Sequence, residues 1–194
     1  MIRSPLRAGL ALACALSLSA CGGGDGDVYV GGSVVGNSKA GLAVTNNDGP
    51  RLEIPAGQST FVFPDLVETD AGYNVKVVAS PDNTEGCKVV EGTGTGKAVF
   101  SVTTVQIACT LKTYPLTARV NGRHLAGLKL VNGANSKEVP AGDTTVTVDM
   151  APVPEDAPYG VAVLDSPGQS CTVANGSGTM TRAGATVDVT CTTP

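Results

Sequence analysis

Six cysteines, one histidine, a glycine-rich run ending in lysine and three short acidic clusters are the residues of this 194-residue chain whose types and spacing bear on chemistry. Cys87 and Cys109 stand 22 residues apart, and Cys171 and Cys191 stand 20 apart. Zinc sites use close cysteine pairs with histidine, and redox pairs use Cys-x-x-Cys, so neither chemistry fits these spacings. His124, in Asn121-Gly122-Arg123-His124, has no second histidine to work with. A nucleophilic triad would need it oriented by a carboxylate, beside a serine in a sharp turn. No Gly-x-Ser-x-Gly follows residue 20, and His124 reads as a polar loop residue.

The run Glu91-Gly92-Thr93-Gly94-Thr95-Gly96-Lys97 is phosphate-loop-like only in part. That motif requires glycine where Glu91 stands and serine or threonine where Ala98 stands. A glycine-rich hairpin turn accounts for it better. Asp25-Gly26-Asp27, Asp82-Asn83 and Glu155-Asp156 are rich in oxygen ligands. Calcium takes about six to eight oxygens, and no twelve-residue loop closed by a bidentate glutamate is present. These clusters read as solvated acidic turns.

Cys14 and Cys21 lie in or beside an N-terminal segment of different character. Arg3 and Arg7 are followed by the uncharged apolar stretch Ala8 to Leu18 and the small residues Ser19 and Ala20. These are the three parts of an export signal. The stretch is too short for a spanning helix, which needs roughly 20 residues. The expected parts are a helical signal peptide over 1–20 and, over 21–27, a flexible glycine-rich tether. Without residues 1–20 the chain loses two of its 13 cations and none of its 17 acids, so its net charge falls from −4 to −6. An acidic body argues against nucleic acid and against adhesion to anionic lipid through a basic patch.

Leu18-Ser19-Ala20-Cys21 resembles the lipobox of bacterial lipoproteins. The resemblance implies cleavage before Cys21, diacylglycerol on its sulfur and a further acyl chain, palmitate or similar, on the new N-terminus. More than one chain matters because a single one gives only marginal membrane binding. Gly22, in place of aspartate, implies sorting to the outer membrane. Cys14 leaves with the signal and Cys21 is taken by lipid. The other four cysteines then face an oxidising compartment, where disulfides form.

The remainder is two copies of one unit. Ala40-Gly41-Leu42-Ala43-Val44 recurs as Ala126-Gly127-Leu128-Lys129-Leu130, and Ile54-Pro55-Ala56-Gly57 as Val139-Pro140-Ala141-Gly142. Tyr73 to Val77 recurs as Tyr159 to Val163, Cys87 matches Cys171, and Cys109 matches Cys191. Four cysteines allow three pairings, and the duplication favours Cys87–Cys109 and Cys171–Cys191.

Apolar residues alternate with polar or small ones over Ser59 to Phe63, Tyr73 to Ala79, Ala98 to Thr104 and Tyr159 to Leu164, the period of strands. Asn46-Asn47-Asp48-Gly49-Pro50, Pro81-Asp82-Asn83, Asn132-Gly133 and Asn175-Gly176 mark turns. The expected fold is all-β: two tandem small antiparallel β-sandwich repeats over 28–111 and 112–194, with one disulfide each. Gly32-Ser33-Val34 through Val44, Phe61-Val62-Phe63 and Tyr73 to Val77 resemble transthyretin-like and immunoglobulin-like modules of exported bacterial proteins, and Val187 to Cys191 is similar to tandem repeats of proteobacterial surface proteins. The chain lacks the tryptophan that packs on the disulfide of antibody domains.

The expected function is that of a non-enzymatic, lipid-anchored outer-membrane module, facing periplasm or cell surface. It would act as a spacer or interaction platform for another envelope protein or a surface ligand. The alternative is an accessory subunit of an envelope assembly or transport complex. A glycosidase-like enzyme would need two carboxylates facing each other across a cleft, and acids are not concentrated at matching positions of the two units. No metal, catalytic residue or cofactor is expected beyond covalent lipid on Cys21.

Overall fold

The computed structural model describes residues 26–192. The expected signal peptide over 1–20, Cys21 and most of the tether lie outside the described residues. No helix among those described is long and apolar enough to cross a membrane.

The chain between 30 and 111 forms eight strands. They are β1 (Val30–Val35), β2 (Leu42–Asn46), β3 (Leu52–Ile54), β4 (Thr60–Val62), β5 (Gly72–Ala79), β6 (Thr84–Val89), β7 (Thr95–Lys97) and β8 (Val102–Leu111). One sheet has the order β4-β1-β8-β6 and the other β3-β2-β5-β7. Val30, Val34 and Ile107 of the first sheet share a single core with Leu42, Val44 and Val75 of the second. Phe61 and Phe63 meet edge to face within it, their rings 5.6 Å apart.

The second half repeats this plan with β10 (Leu116–Asn121), β11 (Lys129–Asn132), β12 (Asn135–Glu138), β13 (Val146–Asp149), β15 (Pro158–Asp165), β16 (Ser170–Ala174), β17 (Ser177–Thr179) and β18 (Ala185–Thr192). Its sheets run β13-β10-β18-β16 and β12-β11-β15-β17. A further short pair, β9 (Thr113–Tyr114) with β14 (Val153–Pro154), takes the place of the Val28–Val67 bridge in the first half. Strand alternation sets the inward face. In β10, Leu116, Ala118 and Val120 are buried while Arg119 points outward and pairs at 2.7 Å with Asp188, its register partner on β18.

Most ladders are antiparallel, but the first and last long strands of each repeat lie side by side and parallel, β1 with β8 and β10 with β18. Each chain segment therefore enters its sandwich at one pole and leaves at the other. The two disulfides are cross-strand links within one sheet. Cys87 faces Cys109 across β6 and β8, and Cys171 faces Cys191 across β16 and β18. Antibody domains instead join their two sheets.

Both repeats carry a bulge at the same place. Ala43 and Val44 pair with Ala79 and Val77, leaving Val78 unpaired, and Lys129 and Leu130 pair with Asp165 and Val163, leaving Leu164 unpaired. Both extra residues are exposed.

Candidate functional site: the joint between the repeats

Four of the eight ion pairs among the described residues lie where one sandwich meets the next. Only Lys112 lies between β8 and β9, and each repeat holds one of its backbone groups. Its N–H donates to the Asn83 carbonyl at 2.9 Å, and its carbonyl accepts from the Glu155 N–H at 3.0 Å. Its ammonium also donates to the Asp82 carbonyl at 2.7 Å.

Side chains complete the joint. Lys39 and Asp82 project from the upper loops of repeat 1, and Glu155, Asp156 and Arg182 from the lower loops of repeat 2. Lys39 Nζ reaches Glu155 Oε1 at 2.7 Å and Asp156 Oδ2 at 2.9 Å. Arg182 reaches Asp82 Oδ2 at 2.6 Å and Glu155 Oε1 at 3.0 Å. Glu155 is only 5% exposed and is the centre of the group. Its pKa is lowered chiefly by Lys39, with Arg182 adding to the effect against the cost of burial. Arg182 lowers Asp82, while Glu155 and then Asp156 raise Lys39. Glu155 Oε2 has no hydrogen-bond partner among the described residues. Removing either cation would therefore leave a buried carboxylate poorly compensated.

Two acidic clusters that read separately as solvated turns, Asp82-Asn83 and Glu155-Asp156, are thus brought into one site and neutralised by protein cations. Among the described residues, no three His, Cys, Asp or Glu side chains are grouped to hold a metal. Asn83 is fully buried and donates to Ser38 at 2.8 Å, so it is a packing residue of the joint rather than an exposed ligand.

The other candidates resolve as structure. His124 lies in the loop between β10 and β11 but, unlike a solvated polar residue, it is buried and only 2% exposed. Its backbone bridges Gly142, and its Nδ1 donates to the Gly122 carbonyl at 2.9 Å. Beside it lies an open depression of about 310 Å³, lined by Arg123, His124, Leu125, Ala141, Gly142 and Asp143. Asp143 faces Arg123 at 3.3 Å, and none of the six is a serine or cysteine nucleophile. The glycine-rich run turns from β6 into β7, a strand, where a phosphate loop would open a helix. The Thr93 hydroxyl closes that turn, donating to the Val90 carbonyl at 2.8 Å and accepting from the Gln106 N–H at 3.0 Å.

Because the repeats share a topology, each end of one can be compared with the same end of the other. Asp70 and Asp156 have φ of 65° and 64° and donate their N–H groups to Ala98 and Met180 respectively. Thr69 therefore stands where repeat 2 has Glu155. Counting on from Ala98 and Met180, Phe100 stands where repeat 2 has Arg182. At the upper end Lys39 matches Leu125 and Asp82 matches Gly168, as the preserved order of Gly41 and Gly127 requires. Of the ionic set at the internal joint, only the acid of Asp156 has a charged counterpart at an outer end, Asp70.

No protein-family model matches the chain. No curated protein matches it either. Among solved structures it is similar to the C-terminal fragment of the pilus adhesin SpaC from Lactobacillus rhamnosus GG, at 10% identity and a TM-score of 0.34, over 85% of this chain and 96% of that one. It is also similar to the major pilin protein (T-13) from a Streptococcus pyogenes serotype, at 10% identity and a TM-score of 0.27, over 88% of this chain and 98% of that one.

Proposed function

We propose that the chain is a bacterial lipoprotein whose two sandwiches form a rigid, non-enzymatic spacer and interaction module at the cell envelope. Residues 1–20 direct export and are removed, Cys21 carries the acyl chains, and Gly22 directs the protein to the outer membrane. The single observation supporting a rigid spacer is the joint. One connecting residue, hydrogen-bonded to both repeats, and three inter-repeat ion pairs hold the units end to end. A flexible pair of domains would need neither.

The test is chemical cross-linking in intact cells, followed by mass spectrometry of everything attached. The expected result is lipid-modified protein with envelope or surface ligands captured on its loops. A single partner at matching abundance would replace this reading with that of a subunit of an envelope assembly. Finding the Cys21→Ala protein still held in the membrane fraction would overturn the lipid anchor.

A further inference from the structure

The lower pole of repeat 1 carries apolar side chains that its own fold does not bury. Phe100 is 80% exposed and Leu66 is 55% exposed, and Tyr29 and Val99 are exposed beside them. Strand order places them together. Val28 bridges Val67 on one side, and on the other the Val102 N–H donates to the Tyr29 carbonyl. Leu66 and Phe100 thus lie on the two segments that flank Tyr29, which run at about the 5 Å spacing of neighbouring strands where they pair. A depression of about 210 Å³, floored in part by Phe63, Leu66 and Val67, opens at the same pole.

Repeat 2 is the internal control. Its equivalent pole is covered by repeat 1, and there the position of Phe100 holds Arg182, ion-paired to Asp82. At the pole of repeat 1, Thr69 stands in place of Glu155 and Phe100 in place of Arg182, while Asp70 keeps the acid of Asp156. The chain also enters here. The Thr69 hydroxyl donates to the Gly26 carbonyl, fixing the tether against this pole. Four residues then separate Gly26 from Cys21, five Cα-to-Cα steps with a reach of at most about 18 Å.

We propose that Tyr29, Leu66, Val99 and Phe100 seat this pole on the bilayer surface, so that the protein stands on its membrane instead of swinging from its lipid. The proposal rests on the lipid-anchor reading above. The lipid it fits is zwitterionic, because the chain beside Tyr29, Leu66 and Phe100 carries Asp27, Asp65, Glu68 and Asp70 against Lys97, while Arg51 and Lys76 are already paired with Glu53 and Asp48. Acidic headgroups would be repelled.

The chain has no tryptophan, so each of the variants Phe100→Trp and Leu164→Trp carries one reporter. The mature lipidated protein is reconstituted in phosphatidylcholine vesicles containing brominated acyl chains. The expected result is a blue-shifted emission at position 100, quenched roughly twofold or more, with position 164 unchanged. Adding phosphatidylglycerol should reduce the quenching, and salt should restore it. Unquenched emission at 100 from protein that remains on the vesicles would overturn the seating and leave the anchor standing. Mature protein lacking acyl chains would instead overturn the anchor. Quenching at both positions would mean that the molecule lies flat, which also overturns the proposal. Unquenched emission in vesicles together with cross-linking of this pole to a protein in cells would assign it to a protein partner.

Discussion

Arg182 and Asp82, 100 residues apart in the chain, are joined across the two repeats by a 2.6 Å contact from Nη2 to Oδ2. The same guanidinium holds Glu155, which in turn holds Lys39, so no member of the joint acts on its own. Arg182→Ala should free Asp82 and remove one of the two cations on Glu155. The expected outcome is a broadened distribution of distances between spin labels on the two repeats, with the melting of each sandwich unchanged. An unchanged distribution would show that Lys112 and the Lys39 pairs fix the geometry without Arg182.

Acid should loosen the joint in the same way. The pKa values of Glu155 and Asp82 are lowered in the docked state, so the undocked state binds more protons as pH falls. Their contribution is fully present above the ordinary values of 4.5 and 3.8, and is lost as pH falls through the docked ones. Lys39 is raised, so on the alkaline side its share is full below 10.5 and is lost as pH rises through its docked value. Small-angle scattering across this range should show a constant molecule at neutral pH and a more variable one in strong acid. Constancy down to the unfolding of the sandwiches would refute the ionic account.

Cys171→Ser should lower the stability of repeat 2 by about 3 kcal/mol and leave repeat 1 unaffected, since the bond closes a loop of about twenty residues. Calorimetry with two resolved transitions would measure this. Equal loss in both transitions would contradict one staple per repeat.

Gly32→Ala should destabilise repeat 1 by about 1 to 3 kcal/mol. A Cβ at Gly32 would collide with the Val105 backbone of β8. The pairing slips there, with Val30 opposite Val102 but Gly32 opposite Val105. Repeat 2 has Ala118 at the same position, with an unbroken register. Denaturant melts of the variant would show no change if the β1–β8 ladder could simply shift.

The sandwiches were legible because their signals are local or repeated. Alternation marked the β5 and β15 regions, turn residues marked the loops, and the duplication selected the cysteine pairs. Three features were not legible. The parallel pairing of β1 with β8 joins the two ends of a repeat, and no local pattern records it. The bulges expose Val78 and Leu164, which strict alternation cannot represent. His124 is buried because its backbone bridges Gly142, a contact between separate loops.

The joint was the larger omission, since Asp82 and Glu155 each read as a solvated acid when taken alone. One signal was present in the sequence. Lys39, Asp82, Glu155 and Arg182 are charged in one copy and uncharged in the other, facing Leu125, Gly168, Thr69 and Phe100. Residues that break the symmetry of a duplication mark the surfaces on which its two copies have different neighbours.

The parallel ladder between β1 and β8 also decides how the protein bears mechanical load. Tension between a held N-terminus and a gripped tip pulls these adjacent strands in opposite directions along their length. Their hydrogen bonds must then shear together, where a hairpin pulled from its open end would unzip one bond at a time. Repeat 2 presents the same arrangement in β10 and β18. If either ladder failed, the disulfide behind it would keep about twenty residues from paying out, limiting how far the chain lengthens.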